Sequence, residues 1–376
     1  MSAKKNRLRS DLNSFLTITA ALIIIGFLFI YSSSSVYALE RFNAPHYFIK
    51  KQLIGLVVGI VGFLFARILS LDFIEGMTSL FFVGSLGLTA FTLLSQFGIR
   101  IHGSSRWLSL GVTDLQPSEL LKIAFILYIA RFLTKKEKHK FTFIKSYLPF
   151  LIVCALVGGI LLKQPDFGLA VTLITTAFLM LFIAGFPIKH LFLTILGLAP
   201  VVGLLVFTQA YRLRRVLTFL NPWSDPQGAG FQIIQSLIAI GSGNWWGTGI
   251  AHSKQKYFYL PMQHTDFIFS IIAEETGFIG SSIIILLYVL FLYYGLKIAS
   301  QLTNRFHIFA CTGFVLLTSL QAMINIFVAT GLLPTKGIGL PLISYGNSSL
   351  VCTCLMIGLI VNMASNEYEY TTQRKS

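Results

Sequence analysis

Residues 259–267 read YLPMQHTDF and close a long break, 209–266, in a chain that is otherwise almost continuously apolar. Hydrophobic residues make up 55% of its 376 positions and charged residues 11%, with a mean hydropathy of +0.76. That balance excludes a soluble globular domain. Outward from the break, apolar runs lie near 14–35, 52–70, 77–97, 118–134, 147–163, 168–186, 190–208, 267–297, 306–330 and 347–364. Each approaches the ~20 residues that a helix needs to cross a bilayer. The expectation is therefore an all-α integral membrane protein of about ten transmembrane helices, residues 14–364, with short polar tails at 1–13 and 365–376. Loops between membrane segments are usually short, so one of this length that ends on an aspartate among aromatics is a candidate working surface.

Basic residues set the orientation. Lys4, Lys5, Arg7, Arg9 and the cluster Lys135, Lys136, Lys138 and Lys140 fall on one side if the amino terminus is inside, and the positive-inside rule then makes both termini cytoplasmic and the 209–266 loop extracytoplasmic. The first apolar run is too long for a signal-peptide core and reads as a retained anchor. The net charge of +15 is split across two membrane faces, which argues against nucleic-acid binding; it reads either as inner-leaflet contact or, through the outer-side Arg212, Arg214, Arg215, Lys254, Lys256 and Lys336, as suited to an anionic ligand. Cys154, Cys311, Cys352 and Cys354 all lie in apolar spans, and the seven histidines show no ligand spacing, so neither a disulfide framework nor a metal site is indicated.

Four polar constellations interrupt this background. In RWLSLGVTDLQPSELLKI, 106–123, Pro117 suits a first helical turn, and Glu119 and Lys122 then share a face as an intramembrane ion pair that is either structural or borders a polar cavity. In KQPDFG, 163–168, Asp166 reads best as a helix cap. Within the long loop, Arg214 and Arg215 precede NPWSDP, and FQIIQSLIAIG has near-helical spacing that suits a surface-lying helix. The loop's GSGNWWGTG, 241–249, would let backbone approach a ligand closely, with Gln255 and Lys256 just beyond. Asp266 then stands at the outer membrane boundary, either capping the next helix or acting as a free carboxylate. Last comes LPTKGIGLPLISYG, 333–346, whose Lys336 either snorkels to headgroups or meets a phosphate.

Outside the cytoplasmic membrane there is no supply of nucleotide-activated donors, so an enzyme there must use a substrate carrying its own leaving group. A lipid-linked diphospho-sugar fits: the diphosphate leaves among cations, and one carboxylate suffices as base for an acceptor hydroxyl. A divalent cation at the diphosphate is compatible with that chemistry, although no ligand cluster calls for one.

The residues themselves resemble a known family. QPSELLKI, QPDFG, RLRRVLTFLNPWSDPQGAGFQ, QKYFYLPMQHTDFIFSIIAEETGFIG and GLLPTKGIGLPLISYG occur in the order found in the SEDS glycosyltransferases, the group containing FtsW and RodA, over about residues 12–364. RRVLTFLNPW and PTKG are closer to the division member than to the elongation member. The resemblance implies a polymerase that joins lipid II units into septal glycan strands, with undecaprenyl diphosphate as leaving group. It implies Asp266 as catalytic base, Glu119 and Lys122 in the central cavity, and Lys336 as functionally important; Arg214, Arg215, Gln255, Lys256 and Ser344 fall on motif positions assigned here to substrate contact. It also implies a class B penicillin-binding protein transpeptidase as partner, with other division proteins controlling activity. The chain departs from the family's SYGGSS by reading Asn347 in SYGNSS, a residue that also tolerates positive φ. A lipid II flippase and an elongation-type polymerase are the alternatives. A flippase fits the buried ion pair but leaves the motif-rich outer loop without a purpose.

Overall fold

The computed structural model describes residues 2–94, 99–101, 104–109, 114–137, 142–208, 210–228, 230–257, 260–335 and 337–373. Ten long helices coincide with the ten apolar runs: α1 (Ser2–Phe42), α2 (Tyr47–Ile68), α3 (Leu71–Phe91), α4 (Pro117–Glu137), α5 (Leu148–Lys163), α6 (Phe167–Ile183), α7 (Ile188–Phe207), α10 (Ile268–Ala299), α11 (Arg305–Ala329) and α12 (Asn347–Gln373). Two shorter ones, α8 (Ala210–Leu220) and α9 (Phe231–Ser242), lie in the long loop. Among the described residues, seven helices are individually long and apolar enough to span a bilayer. Of the other three, α4 carries Glu119 and Lys122 in its first turns, and α6 is only 17 residues long. The first and last helices run on through the expected tails, to Ser2 and to Gln373. A small antiparallel ribbon, β1 (Ile99–Ile101), β2 (Ser104–Ser109) and β3 (Asp114–Leu115), joins α3 to α4, where sequence periodicity had signalled no strand.

The most buried spans are α11 and α12, and α11 packs against α4, α6, α10 and α12. Small residues permit the closest approaches, as expected where lipid tails remove any hydrophobic drive between helices. Gly55 and Gly59 of α2 face Asn347 and Cys354 of α12, and Gly358 of α12 faces the Phe63 carbonyl. Asn362 stitches one end of this pair, its Nδ2 donating to the Ala66 and Leu69 carbonyls at 2.9 and 2.7 Å.

The structure gives the long loop more internal contacts than its sequence reading supplied. FQIIQSLIAIG forms the expected helix, and one face of α9 packs into α10 and α11. Ile233, Ile234, Ser236 and Ala239 are buried, and Ser236 Oγ donates to the Ala329 carbonyl at 2.6 Å and lies 2.5 Å from Ser270 Oγ. The glycine-rich stretch approaches protein backbone. Helix α10 breaks at Gly277 (φ 67°, ψ −164°), a conformation essentially confined to glycine. The loop fills the break: Thr248 and Gly249 N–H donate to the Glu274 and Glu275 carbonyls (2.9 and 3.1 Å), while Phe278 and Ile279 N–H donate to Asn244 and Trp245 carbonyls (2.8 and 3.3 Å). A Cβ on Gly247 would lie 2.2 Å from the Glu275 oxygen, so the small residues are needed for this stitch. Backbone groups freed by a break in a membrane helix must find partners in the protein, and here the loop supplies them.

Candidate active site

Asp266 lies in the turn just before α10. The turn is closed by Thr265 and Phe267 N–H donating to the Met262 carbonyl at 3.1 and 3.3 Å, with Met262 itself in the left-handed region (φ 56°). Phe267 is the N-cap of α10 and no side chain caps that helix end, so the Asp266 carboxylate is not spent on capping. The side chain is partly buried and faces Gly337, with Asp266 Oδ2 3.5 Å from the position a Cβ would take there. The Asp266 backbone carbonyl accepts from Asn325 Nδ2 of α11 at 2.7 Å. Next to it, His264 is buried against Phe48, Tyr37 and Tyr345, and burial pushes its pKa down to about 4. It is therefore neutral at pH 7. Burial has the opposite effect on Asp266, raising the carboxyl to about 7.

Charges from three other elements reach Asp266. Arg106 of β2 and Arg215 of α8 pull its pKa down, but burial, with Asp166 pushing the same way, outweighs them. Arg106 donates from Nε to the Gln164 carbonyl (2.9 Å) and from Nη2 to the Pro165 carbonyl (2.5 Å), and its Nη1 lies 3.6 Å from Asp166 Oδ2. Asp166 is the N-cap of α6, accepting from Leu169 N–H at 3.3 Å as its sequence context indicated. Its carboxyl too is raised, mainly by burial and against the pull of Arg106. Arg215 donates to the Thr335 carbonyl at 3.0 Å, which anchors the PTKG loop beside Asp266. Arg214 points elsewhere: it is exposed and paired with Asp225 at 2.6 Å. Lys336 lies outside the described residues.

Deeper in the protein, Glu119 and Lys122 form the expected ion pair on α4, 2.5 Å apart and almost fully buried. Lys122 Nζ also donates to Gln321 Oε1 (3.3 Å), and Gln321 Nε2 donates to the Gly339 carbonyl (3.2 Å). Ser344 ties loops together: its hydroxyl donates to the Thr265 carbonyl at 2.5 Å and accepts from Leu340 N–H at 2.7 Å. Tyr345 N–H, donating to the His264 carbonyl at 3.0 Å, completes the link between the SYG turn and the HTDF turn.

Lys256 is buried and lies 3.5 Å from Glu275, while its Nζ also donates to the Ala251 carbonyl. Glu275 accepts from Ser32 Oγ at 2.7 and 2.8 Å and from Ser253 N–H at 3.3 Å. Glu274 accepts from Lys254 N–H at 2.8 Å, from Gln255 N–H at 3.4 Å and from Ser253 Oγ. The two adjacent carboxylates thus hold residues 251–256 against the break in α10. Gln255 is half-buried at this junction, with its Oε1 lacking a hydrogen-bond partner among the described residues.

Asp266 thus faces Gly337 and feels the charges of Arg106, Asp166 and Arg215, while Arg214 stays at the surface and Lys256 serves an internal pair. Arg106, Gln321 and Asn325 were not singled out in the sequence. Arg106 stands at the head of a recognised motif, whereas Gln321 and Asn325 are isolated amides in an apolar run whose only signal is their four-residue spacing. Among the described residues, no group of three His, Cys, Asp or Glu side chains converges as a metal site. Chemically, the cluster offers a carboxylate able to take a proton near neutral pH, two guanidinium groups whose charge acts on it, and Gly337 facing it without a side chain.

The chain matches the family model described as cell cycle protein, covering FtsW, RodA and SpoVE, over residues 13–369. It is 39% identical over 350 residues to stage V sporulation protein E of Bacillus subtilis, covering 92% of this chain and 95% of that protein. It is 40% identical over 350 residues to the probable peptidoglycan glycosyltransferase FtsW of Trichlorobacter lovleyi, covering 93% and 92%. Among solved structures, it superposes on a chain of a peptidoglycan synthase complex that coordinates polymerization and crosslinking, with a TM-score of 0.79 and 31% identity over 94% of this chain and 98% of that one. The rod shape determining protein RodA of Thermus thermophilus gives a TM-score of 0.70 at 27% identity, covering 94% and 96%.

Proposed function

Since this chain belongs to the FtsW, RodA and SpoVE family of cell cycle proteins, we propose that it is a peptidoglycan glycosyltransferase that polymerises lipid II into septal glycan strands during division. The observation that carries the mechanism is Asp266: a carboxylate not used for capping, partly buried, held at about 7, with Arg106 and Arg215 acting on it.

A base is most effective when its pKa lies near the working pH, because it is then both ionised in a useful fraction and strong enough to accept the proton. Asp266 meets that condition through burial. In the proposed reaction its carboxylate takes the proton of the acceptor sugar's 4-hydroxyl as that oxygen attacks the donor's anomeric carbon with inversion. The bond from that carbon to undecaprenyl diphosphate breaks. In this reading developing negative charge on the diphosphate is met by Arg215, Arg106 and Lys336; fixed cations stabilise such charge without reorganising. Glu119 and Lys122 support the 338–339 segment from below through Gln321. Lys256, Gln255 and Ser344 maintain the loops that frame the site, and Arg214 offers an exposed cation near its mouth.

The protein is a multi-pass membrane protein. Its proposed orientation places both termini, with the tails 1–13 and 365–376, in the cytoplasm and the 209–266 segment outside, in the bacterial cytoplasmic membrane at the division septum. The proposed partner is a class B penicillin-binding protein that cross-links the new strands.

The test is lipid II polymerisation by the purified protein with its transpeptidase partner, comparing wild type with Asp266→Asn. Glycan strands from the wild type alone support the reading. Equal product from both moves the base elsewhere, and no product from either transfers the case to lipid II translocation.

A further inference from the structure

Asn325 of α11 is 1% exposed, yet its amide is fully committed as a donor. Nδ2 donates to the Asp266 carbonyl and to the Ile338 carbonyl, each at 2.7 Å. An amide nitrogen has two protons, and here each goes to a different loop. Gln321, four residues earlier and so on the same face of α11, donates to the next carbonyl, Gly339. Its oxygen accepts from Lys122, which is paired with Glu119. The two amides therefore form a ladder along α11 that holds successive carbonyls of the 337–339 segment, and its upper rung also holds the turn carrying Asp266.

A residue needed only for packing at this depth would be apolar, like its neighbours Ile324, Ile326 and Val328. An amide in a membrane helix is retained at a cost, increased here because Asn325 Oδ1 is buried without a hydrogen-bond partner among the described residues. What the amide gives in return is a fixed relation between two loops. We infer that Asn325 is a positioning residue for glycosyl transfer, its amide holding the Asp266 turn and the loop containing Lys336 in one frame so that base and cation act on the same substrate. This rests on the reading of Asp266 as the base.

Losing the tie frees the Asp266 carbonyl, lets the turn open toward the aqueous side and hydrates the carboxylate, which lowers its pKa. The charged groups acting on Asp266 are Arg106 from β2, Asp166 from the cap of α6 and Arg215 from α8; α11 presents the uncharged Gln321 and Asn325, and His264 in the same turn is neutral near pH 7. None of these is altered by changing Asn325, so a movement of the pH profile reports the carboxylate's placement.

The full-length protein with its transpeptidase partner is assayed on lipid II from pH 5 to 9 as wild type, Asn325→Leu, Asn325→Ser and Asp266→Asn. Displacement of a reacting group by about 1 Å costs up to ~100-fold, so Asn325→Leu is expected to lower kcat by about ten- to a hundredfold with KM changed less than about threefold. The acidic limb of its kcat profile moves to lower pH. Asn325→Ser, retaining one donor, falls between; should the leucine variant not purify as a monodisperse complex, the serine variant decides. Wild-type kcat and pH limb in the variant that purifies would overturn the inference, as would a uniform loss at all pH values with no movement of the limb. Activity retained in Asp266→Asn instead refutes the assignment of the base, whatever Asn325 does.

Discussion

Asp266→Asn should make the protein more stable as it makes it inactive, with a gain that grows from about pH 4 and is complete above about pH 7. The folded carboxyl titrates at about 7, and its usual value is 3.8. Between those values the folded protein holds a proton that the unfolded chain has released, so wild-type stability falls as pH rises through this window and stays reduced above it. At ~1.36 kcal/mol per pH unit the full interval corresponds to roughly 4 kcal/mol. Solvent reaching a partly buried carboxylate cuts this, leaving about 1 to 3 kcal/mol. Asparagine has the same shape and no charge to desolvate, so it recovers that amount at pH 8 and only about a quarter of it at pH 4.5. The assay is thermal unfolding of the detergent-solubilised protein at the two pH values, read by loss of the monodisperse peak. A variant no more stable than wild type at pH 8, or one whose gain is the same at both pH values, refutes the claim that burial holds Asp266 at its raised value. Polymerisation by wild type should rise about tenfold from pH 6 to pH 7.5 and then level, which steady-state rates on lipid II will check.

Three other outcomes are expected. Gly277→Ala forces a side chain into positive φ and sets a Cβ 2.4 Å from the Gly247 nitrogen, so it should cost about 3 kcal/mol or more and abolish the yield of monodisperse protein. Lys256→Met leaves Glu275 buried without its cation and should destabilise by about 3 kcal/mol, whereas the double change Lys256→Met with Glu275→Gln should restore much of the loss in the same thermal assay. Ser344→Ala strands the buried Leu340 N–H and releases the Thr265 carbonyl, and should cost about 1 to 3 kcal/mol while lowering kcat more than it raises KM.

The membrane class and the ten helices were legible from the sequence because runs of about twenty apolar residues have one outcome in a bilayer: a helix that satisfies its own backbone. The Glu119–Lys122 pair was legible for a related reason, since three-residue spacing on a helix and the cost of a lone buried charge both demand it. Asp266 could be named, but its two roles, cap or free carboxylate, are indistinguishable in a string of letters. Only the turn that makes Phe267 the cap leaves the carboxylate unspent. The ribbon β1–β3, and Arg106 on it, went unread because short strands in a connecting loop carry no apolar period of their own. GSGNWWGTG misled for a physical reason: glycine spacing advertises close backbone approach without saying to what, and its partner, the break at Gly277, lies about thirty residues away. Ser344, Gln321 and Asn325 belong to the same class. Local sequence determines which segments are helices and which residues carry charge, because those properties depend on a residue and its near neighbours. Which carbonyls a buried amide will hold, and whether a carboxylate faces lipid, water or arginine, depends on packing between distant segments, and only the tertiary structure decides it.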